Sequence, residues 1–94
     1  MMSQNTPFSS VDAKRIGDSL GIQWSLVDLE QFRLGLSVEL EHGTRNPETD
    51  VTHDDPTLTG KIALAHLREF PDYYTRLAAL EEEASTHWAK RMVQ

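Results

Sequence analysis

The sequence predicts an all-α fold, a compact single domain of about four helices, and three observations carry that reading. Apolar residues recur at spacings of three and four along most of the chain, and no stretch alternates apolar with polar as a half-buried strand would. Side chains suited to helix N-caps, Ser9, Ser25 and Asp55, stand just ahead of three of these runs, and Gly21, Gly43 and Pro71 stand where runs stop. Finally, 94 residues suffice for one modest core and are too few for two.

Each element follows from local chemistry. Residues 1–8 are polar as far as Phe8 and include Pro7, so they read as a flexible N-terminal arm ahead of a helical domain over residues 9–94. Ser9 and Asp12 have capping-box spacing, with Phe8 placed to staple onto Ala13. A first helix from about Ser10 then carries Ala13, Ile16, Gly17 and Leu20 on one side and stops at Gly21 in the left-handed conformation. Trp24, Ser25 and Asp28 repeat this grammar and predict a second helix from about Leu26 to His42, ended by Gly43. Its buried stripe is Leu29, Phe32, Leu36 and Leu40, with Gly35, Glu39 and His42 stacked on the flank. A glycine inside a helix costs about 1 kcal/mol relative to alanine, so Gly35 predicts close approach of another helix or a ligand.

The polar stretch 43–55 reads as a loop longer than most helix connections, and such loops tend to be functional or mobile. Asp55 before Pro56 starts a third helix, expected over Pro56–Glu69, with Leu58, Ile62, Ala63, Leu67 and Phe70 on a broad apolar arc and His66 near its centre. Pro71 stops it. The fourth helix runs from Pro71-Asp72 to about Arg91, with Tyr73, Leu77, Leu80, Ala84 and Trp88 as its core stripe and Glu81-Glu82-Glu83 outside.

Composition removes several classes of function. The absence of cysteine rules out disulfides, thiolate metal sites and cysteine nucleophiles, so a metal would have to be held by His, Asp, Glu or carbonyl oxygen. Net charge is −6 and the basic residues are scattered, so no nucleic acid and no anionic membrane surface is expected as a partner. The start of the chain lacks the basic end and apolar run of a signal peptide, and no apolar run approaches the ~20 residues of a membrane span; a cytoplasmic placement is expected. Phosphate-binding glycine loops, Gly-x-Ser-x-Gly and the EF-hand order around His53-Asp54-Asp55 are all missing.

What remains is a set of polar residues that interrupt the apolar pattern. Glu39 with His42 and His66 with Glu69 each place a carboxylate and an imidazole three residues apart on one side of a helix. One reading is a structural hydrogen-bond network, since an imidazole buried without a partner costs on the order of 1–3 kcal/mol. The second is a metal site for Zn²⁺ or Fe²⁺, because helical carboxylate metal proteins combine Glu with Glu-x-x-His from neighbouring helices. Against it, His66 lies ten residues into its helix, ~15 Å along at 1.5 Å per residue, an offset the long loop has to absorb. A third is metal-independent acid–base chemistry, with Glu39 or Glu69 as base and a histidine as acid. Glu41, His53, Asp54, Tyr73 and Tyr74 complete the candidates, Tyr73 as a core ring and Tyr74 either as a surface aromatic or as the partner of a buried polar group.

Several segments carry a resemblance: Ile16-Gly17 with Leu20-Gly21-Ile22 and Trp24, Gln31-Phe32 to Gly35-Leu36, Val38-Glu39-Leu40-Glu41-His42-Gly43, Asp54-Asp55, Gly60-Lys61-Ile62-Ala63, His66-Leu67 with Glu69, and Pro71-Asp72-Tyr73-Tyr74 with Leu77. Over about residues 12–84 the chain resembles a family of small bacterial and phage proteins known as a domain of unknown function. The resemblance implies no particular activity; the same Glu-x-Glu-His-Gly and His-Leu-x-Glu words recur in that family. Size, acidity and the missing catalytic grammar favour a non-catalytic accessory or interaction protein, its partner an unknown protein rather than a small molecule.

Overall fold

The computed structural model describes residues 8–92, the last two by their backbone alone, and places in them α1 (Ser10–Ser19), α2 (Leu29–Arg45), α3 (Pro56–Glu69) and α4 (Tyr73–Met92). The arm expected over residues 1–8 lies outside the described residues except for Phe8, which packs at the margin of the core. α1 begins as its sequence predicts. Ser9 Oγ accepts the Asp12 amide at 3.0 Å while the Asp12 carboxylate accepts the Ser9 amide at 3.3 Å. It ends at a left-handed Gly21 with φ +77°, and the Ile22 amide returns to the Gly17 carbonyl at 3.0 Å.

The start of α2 differs from expectation. Ser25 is not its N-cap: residues 23–27 form a turn in which the amides of Leu26 and Val27 both donate to the Gln23 carbonyl, at 2.9 and 3.1 Å. Trp24 turns back onto α1. Its indole Nε1 donates to Asp18 Oδ1 at 2.8 Å, and its ring lies so close over Gly17 that a Cβ there would stand 2.4 Å from it. Asp28 caps α2 instead, accepting the Gln31 amide at 3.0 Å.

At its other end α2 passes through the predicted stop, Gly43, and continues to Arg45. Gly43 is used for closeness: a Cβ on it would meet Thr52 Oγ1 at 3.0 Å. The long connection folds back along this end, with a 3₁₀ turn at Pro47–Thr49 capped by Asn46, whose side chain accepts the Glu48 amide at 3.0 Å. α3 then starts and stops where predicted, with Asp55 Oδ1 accepting the amides of Thr57 and Leu58 at 2.8 and 3.2 Å.

α2 is the central helix, packed against α1, α3 and α4. The core consists of Ala13, Ile16, Ile22, Phe32, Leu36, Ala63, Leu67 and Tyr74. It is narrower than the apolar arc of α3 suggests, because Leu58 and Phe70 at the two ends of that arc stay exposed. Among the described residues no helix is long and apolar enough to cross a membrane.

α4 has an unusual beginning and an unusual end. One of its first amides is met from another helix: Gln31 on α2 accepts the Tyr74 amide through Oε1 at 3.2 Å and donates from Nε2 to Thr75 Oγ1 at 2.8 Å. Only its opening turns pack on the body, through Tyr73, Tyr74 and Leu77. Every residue from Ala78 to Lys90 is exposed. Leu80, Ala84 and Trp88, expected in the core, are therefore outside it, with Leu80 59% and Trp88 60% exposed. The reason is length: at 1.5 Å per residue the 20-residue α4 is ~30 Å long, and the other helices meet only its first turns, so it draws the molecule out to 49 Å along one axis against 26 and 25 Å across.

Candidate functional site

The polar centre is built on one face of α2. Glu39 sits one turn beyond Gly35, and the missing side chain at Gly35 is what admits the Tyr74 ring; a Cβ there would lie 2.5 Å from Tyr74 Cε2 and 3.0 Å from Ala63 Cβ. Lying across Gly35, Tyr74 directs its hydroxyl at Glu39 and donates to Oε2 at 2.8 Å. His66 arrives from α3 with Nδ1 3.0 Å from the same Oε2 and 3.0 Å from the Tyr74 oxygen. Since the tyrosine proton is directed to the carboxylate, the network assigns the histidine proton to Nδ1, also donating to Glu39. Two donors from two helices thus converge on one oxygen of a carboxylate on a third.

Burial shows which member needs the others. Glu39 is 9% exposed and Tyr74 4%, whereas the His66 side chain keeps 30% of its surface. His66 is thus not the deeply buried residue that helical phase predicts: it lies at the edge of the arc, with the Tyr73 ring stacked on it at 4.2 Å and 2°. Burial of the Tyr74 phenol, then its hydrogen bond to Glu39 and the charge of that carboxylate, raises the phenol pKa far above its ordinary value. Tyr74 consequently stays a donor throughout the physiological range.

The four expected ligands do not assemble. Glu39 and His66 meet, so the loop does absorb the offset between their helices. His42 turns instead toward α4, with Nε2 3.4 Å from the Glu81 carboxylate, and Glu69 is exposed on the outside of α3. Glu41 pairs with Arg45 on the surface at 3.6 Å. His53 and Asp54 are exposed in the connection, in the left-handed region at φ +50° and +66°, with the His53 amide on Asp50 Oδ1. Among the described residues no group of three or more His, Asp or Glu side chains is placed to hold a metal ion. Of the tyrosines, Tyr74 is the buried polar partner and Tyr73 is half-buried.

Two residues were not among the candidates drawn from the sequence. Gln31, which ties α4 to α2, carries no chemical signal of its own, because a lone glutamine inside a predicted helix reads as a solvent-facing residue. Thr52 is 2% exposed, and its hydroxyl has no hydrogen-bond partner. It lines a cleft of about 150 Å³ together with Glu39, Gly43 and Ile62. A lone threonine in a polar loop gives no warning of such burial.

Fold and site together define a small all-α domain in which three helices are pinned to one another through a single buried carboxylate. The chain belongs to the family described as "Protein of unknown function (DUF5661)", whose model matches residues 13–83. That match covers α2 and α3 entirely and stops partway along α4. No curated protein and no solved structure matches the chain.

Proposed function

We propose that the protein is a non-catalytic interaction module that presents the outer half of α4 to a protein partner. The observation that carries this reading is the fate of the α4 stripe. The helix face that is half-buried at Tyr73 and Leu77 continues as Leu80, Ala84 and Trp88 beyond the edge of the body, where it is exposed. The polar centre supports the same reading in a positioning role. Tyr74 is held by Glu39 and His66, Gln31 holds the first turn, and His42 meets Glu81, so the root of α4 is fixed in direction while its far end is offered to solution. Glu81 lies at the edge of the stripe and is engaged by His42, while Glu82 faces the opposite side of the helix, so the partner that fits is an apolar helix face.

The metal and acid–base alternatives draw less support, because Glu39 and His66 supply two of the four expected groups and Oε2 is already engaged by two donors.

The test is a chain carrying Leu80→Glu and Ala84→Glu. A docking stripe that is not core should tolerate both, leaving the urea midpoint of the monomer within the equivalent of ~0.5 kcal/mol. A loss above ~1 kcal/mol would mean that the stripe packs on the body, and the reading would fall.

A further inference from the structure

We infer that the cleft between the end of α2, the connection that follows it and α3 is a binding site for a guanidinium group; this goes beyond the interaction reading above and does not depend on it. Two unmet polar demands come together there. Glu39 lines the cleft, and both donors that hold its carboxylate, Tyr74 and His66, take Oε2. Among the described residues the Thr52 hydroxyl is the one fully buried side-chain polar atom with no partner, so Oε1 of Glu39, which takes neither donor, is in touch with solvent. Among the described residues the ion-pair partner of this carboxylate is His66, with no Lys or Arg beside it. A carboxylate this deep without a permanent cation costs free energy that a bound cation recovers. Thr52 supplies the second demand. It is 2% exposed, and Gly43 lets it come so near to α2 that a Cβ there would stand 3.0 Å from Thr52 Oγ1 and 3.4 Å from Asp50 Oδ1, which sets a second carboxylate beside the cleft.

The chemistry of the lining selects the ligand. A carboxylate oxygen and an unpaired hydroxyl call for N–H donors, and two carboxylates at the negative end of the α2 dipole call for positive charge. No lysine or arginine lines the cleft, and His42 in its wall is turned to Glu81. A hard metal ion fits poorly, since Ca²⁺ takes about six to eight oxygens and no group of three His, Asp or Glu side chains among the described residues is placed to hold one. An ammonium head is strongly hydrated, and the walls formed by Val51 and Ile62 give nothing back for the water it would lose. A guanidinium is planar and weakly hydrated, with donors round its rim, so its faces suit those apolar walls and its edge suits the oxygens. Size agrees: about 150 Å³ is the volume of a cavity that holds a benzene ring, and a guanidinium with the first carbon of its stem is slightly smaller. A free guanidinium compound and an arginine side chain of a partner offer the same chemistry.

The experiment is a titration of the full ¹⁵N-labelled chain with methylguanidinium chloride at constant ionic strength, followed by amide chemical shifts. The amides of Gly43 and Thr52 should move and saturate, with a Kd on the order of 1 mM, which is within reach of so small a ligand. N-methylurea, the neutral molecule of the same shape, should bind at least about tenfold more weakly, and so should methylguanidinium to a Glu39→Gln chain. Thr52→Val removes the hydroxyl without changing the shape of the wall and should weaken binding about fivefold; it keeps the test intact if Glu39→Gln does not fold. Acetyl-arginine-amide separates the two sources. Saturation at an equal or lower concentration than methylguanidinium assigns the site to an arginine side chain of a partner, and weaker binding assigns it to a free guanidinium compound. Shifts that rise linearly without saturating, an equal response to N-methylurea or sodium chloride, saturation of the same amides by calcium chloride at lower concentration, or unchanged affinity in the folded variants would overturn the site. The urea comparison of the double glutamate variant probes α4 alone, so this site can fail while the docking reading stands.

Discussion

Replacing Gly35 by alanine sets two calculable effects against each other. An alanine inside an α-helix is worth about 1 kcal/mol more than a glycine, so propensity alone predicts stabilisation. The structure opposes it: the new Cβ would stand 2.5 Å from Tyr74 Cε2, 2.9 Å from Cζ and 3.0 Å from Ala63 Cβ. Carbon atoms prefer about 3.5–4.0 Å, so the ring must withdraw by about 1 Å. Because Tyr74 is buried, it can do so only by straining the core, at about 1–3 kcal/mol. Withdrawal also draws the hydroxyl away from Glu39, and a hydrogen bond to a charged group is worth about 1.5–3 kcal/mol. The expected net result is a destabilisation of about 2–4 kcal/mol, a fall in Tm of about 10–25 °C for a domain of this size. Urea unfolding followed by far-UV circular dichroism measures it. The same substitution in a Tyr74→Ala background should cost at least about 1 kcal/mol less, since the ring clash is gone and only the Ala63 Cβ contact at 3.0 Å is left to oppose propensity. A Gly35→Ala chain at least as stable as its parent would show that the ring is not seated on Gly35, and the account of how Tyr74 reaches Glu39 would collapse.

The other consequences can be stated briefly. The raised Tyr74 pKa means that above pH 10.0 the unfolded chain ionises this phenol while the folded chain keeps its proton. Its contribution to stability is therefore complete below that pH and is lost as pH rises, with a limiting slope of about 1.4 kcal/mol per pH unit. Urea midpoints between pH 9 and 11.5 should fall less steeply in Tyr74→Phe than in the parent, and equal slopes would show that the phenol ionises freely in the fold. Thr52→Val removes a buried hydroxyl that has no partner and keeps nearly the same shape, so stability should hold or rise by up to ~1 kcal/mol. A loss of more than ~1 kcal/mol in chemical denaturation would reveal a partner for that hydroxyl.

Local chemistry was the legible part of the sequence. Ser9 with Asp12, Gly21, and Asp55 with Pro56 act through atoms a few residues apart, and the structure keeps all of them. The failures share a tertiary cause. Ser25 and Asp28 are equally good caps, and the choice falls to Asp28 because Trp24 is drawn back onto Gly17 and Asp18, holding residues 23–27 in a turn. Gly43 has the composition of a stop, yet the close approach of Thr52 uses its lack of a side chain inside the helix. In α4 the period correctly marks the apolar face, but periodicity says nothing about whether another helix extends far enough to cover it. At the polar centre the spacing picked out Glu39 and His66 and left Tyr74 open between surface and buried partner. It wrongly joined His42 and Glu69 to the set, because three-residue spacing fixes a common side of one helix and not which neighbour that side meets.

The bond between Gln31 and the Tyr74 amide bears on the order in which the molecule forms. It joins residues 43 apart in sequence, so the N-terminus of α4 gains this cap only after α2 exists and the chain between has closed. Helices α1, α2 and α3 each have a side-chain acceptor at their own start, whereas α4 begins on the backbone carbonyls of Phe70 and Asp72 and takes its side-chain acceptor from α2. The direction in which the outer turns of α4 project is therefore set only where α2 and α4 have docked.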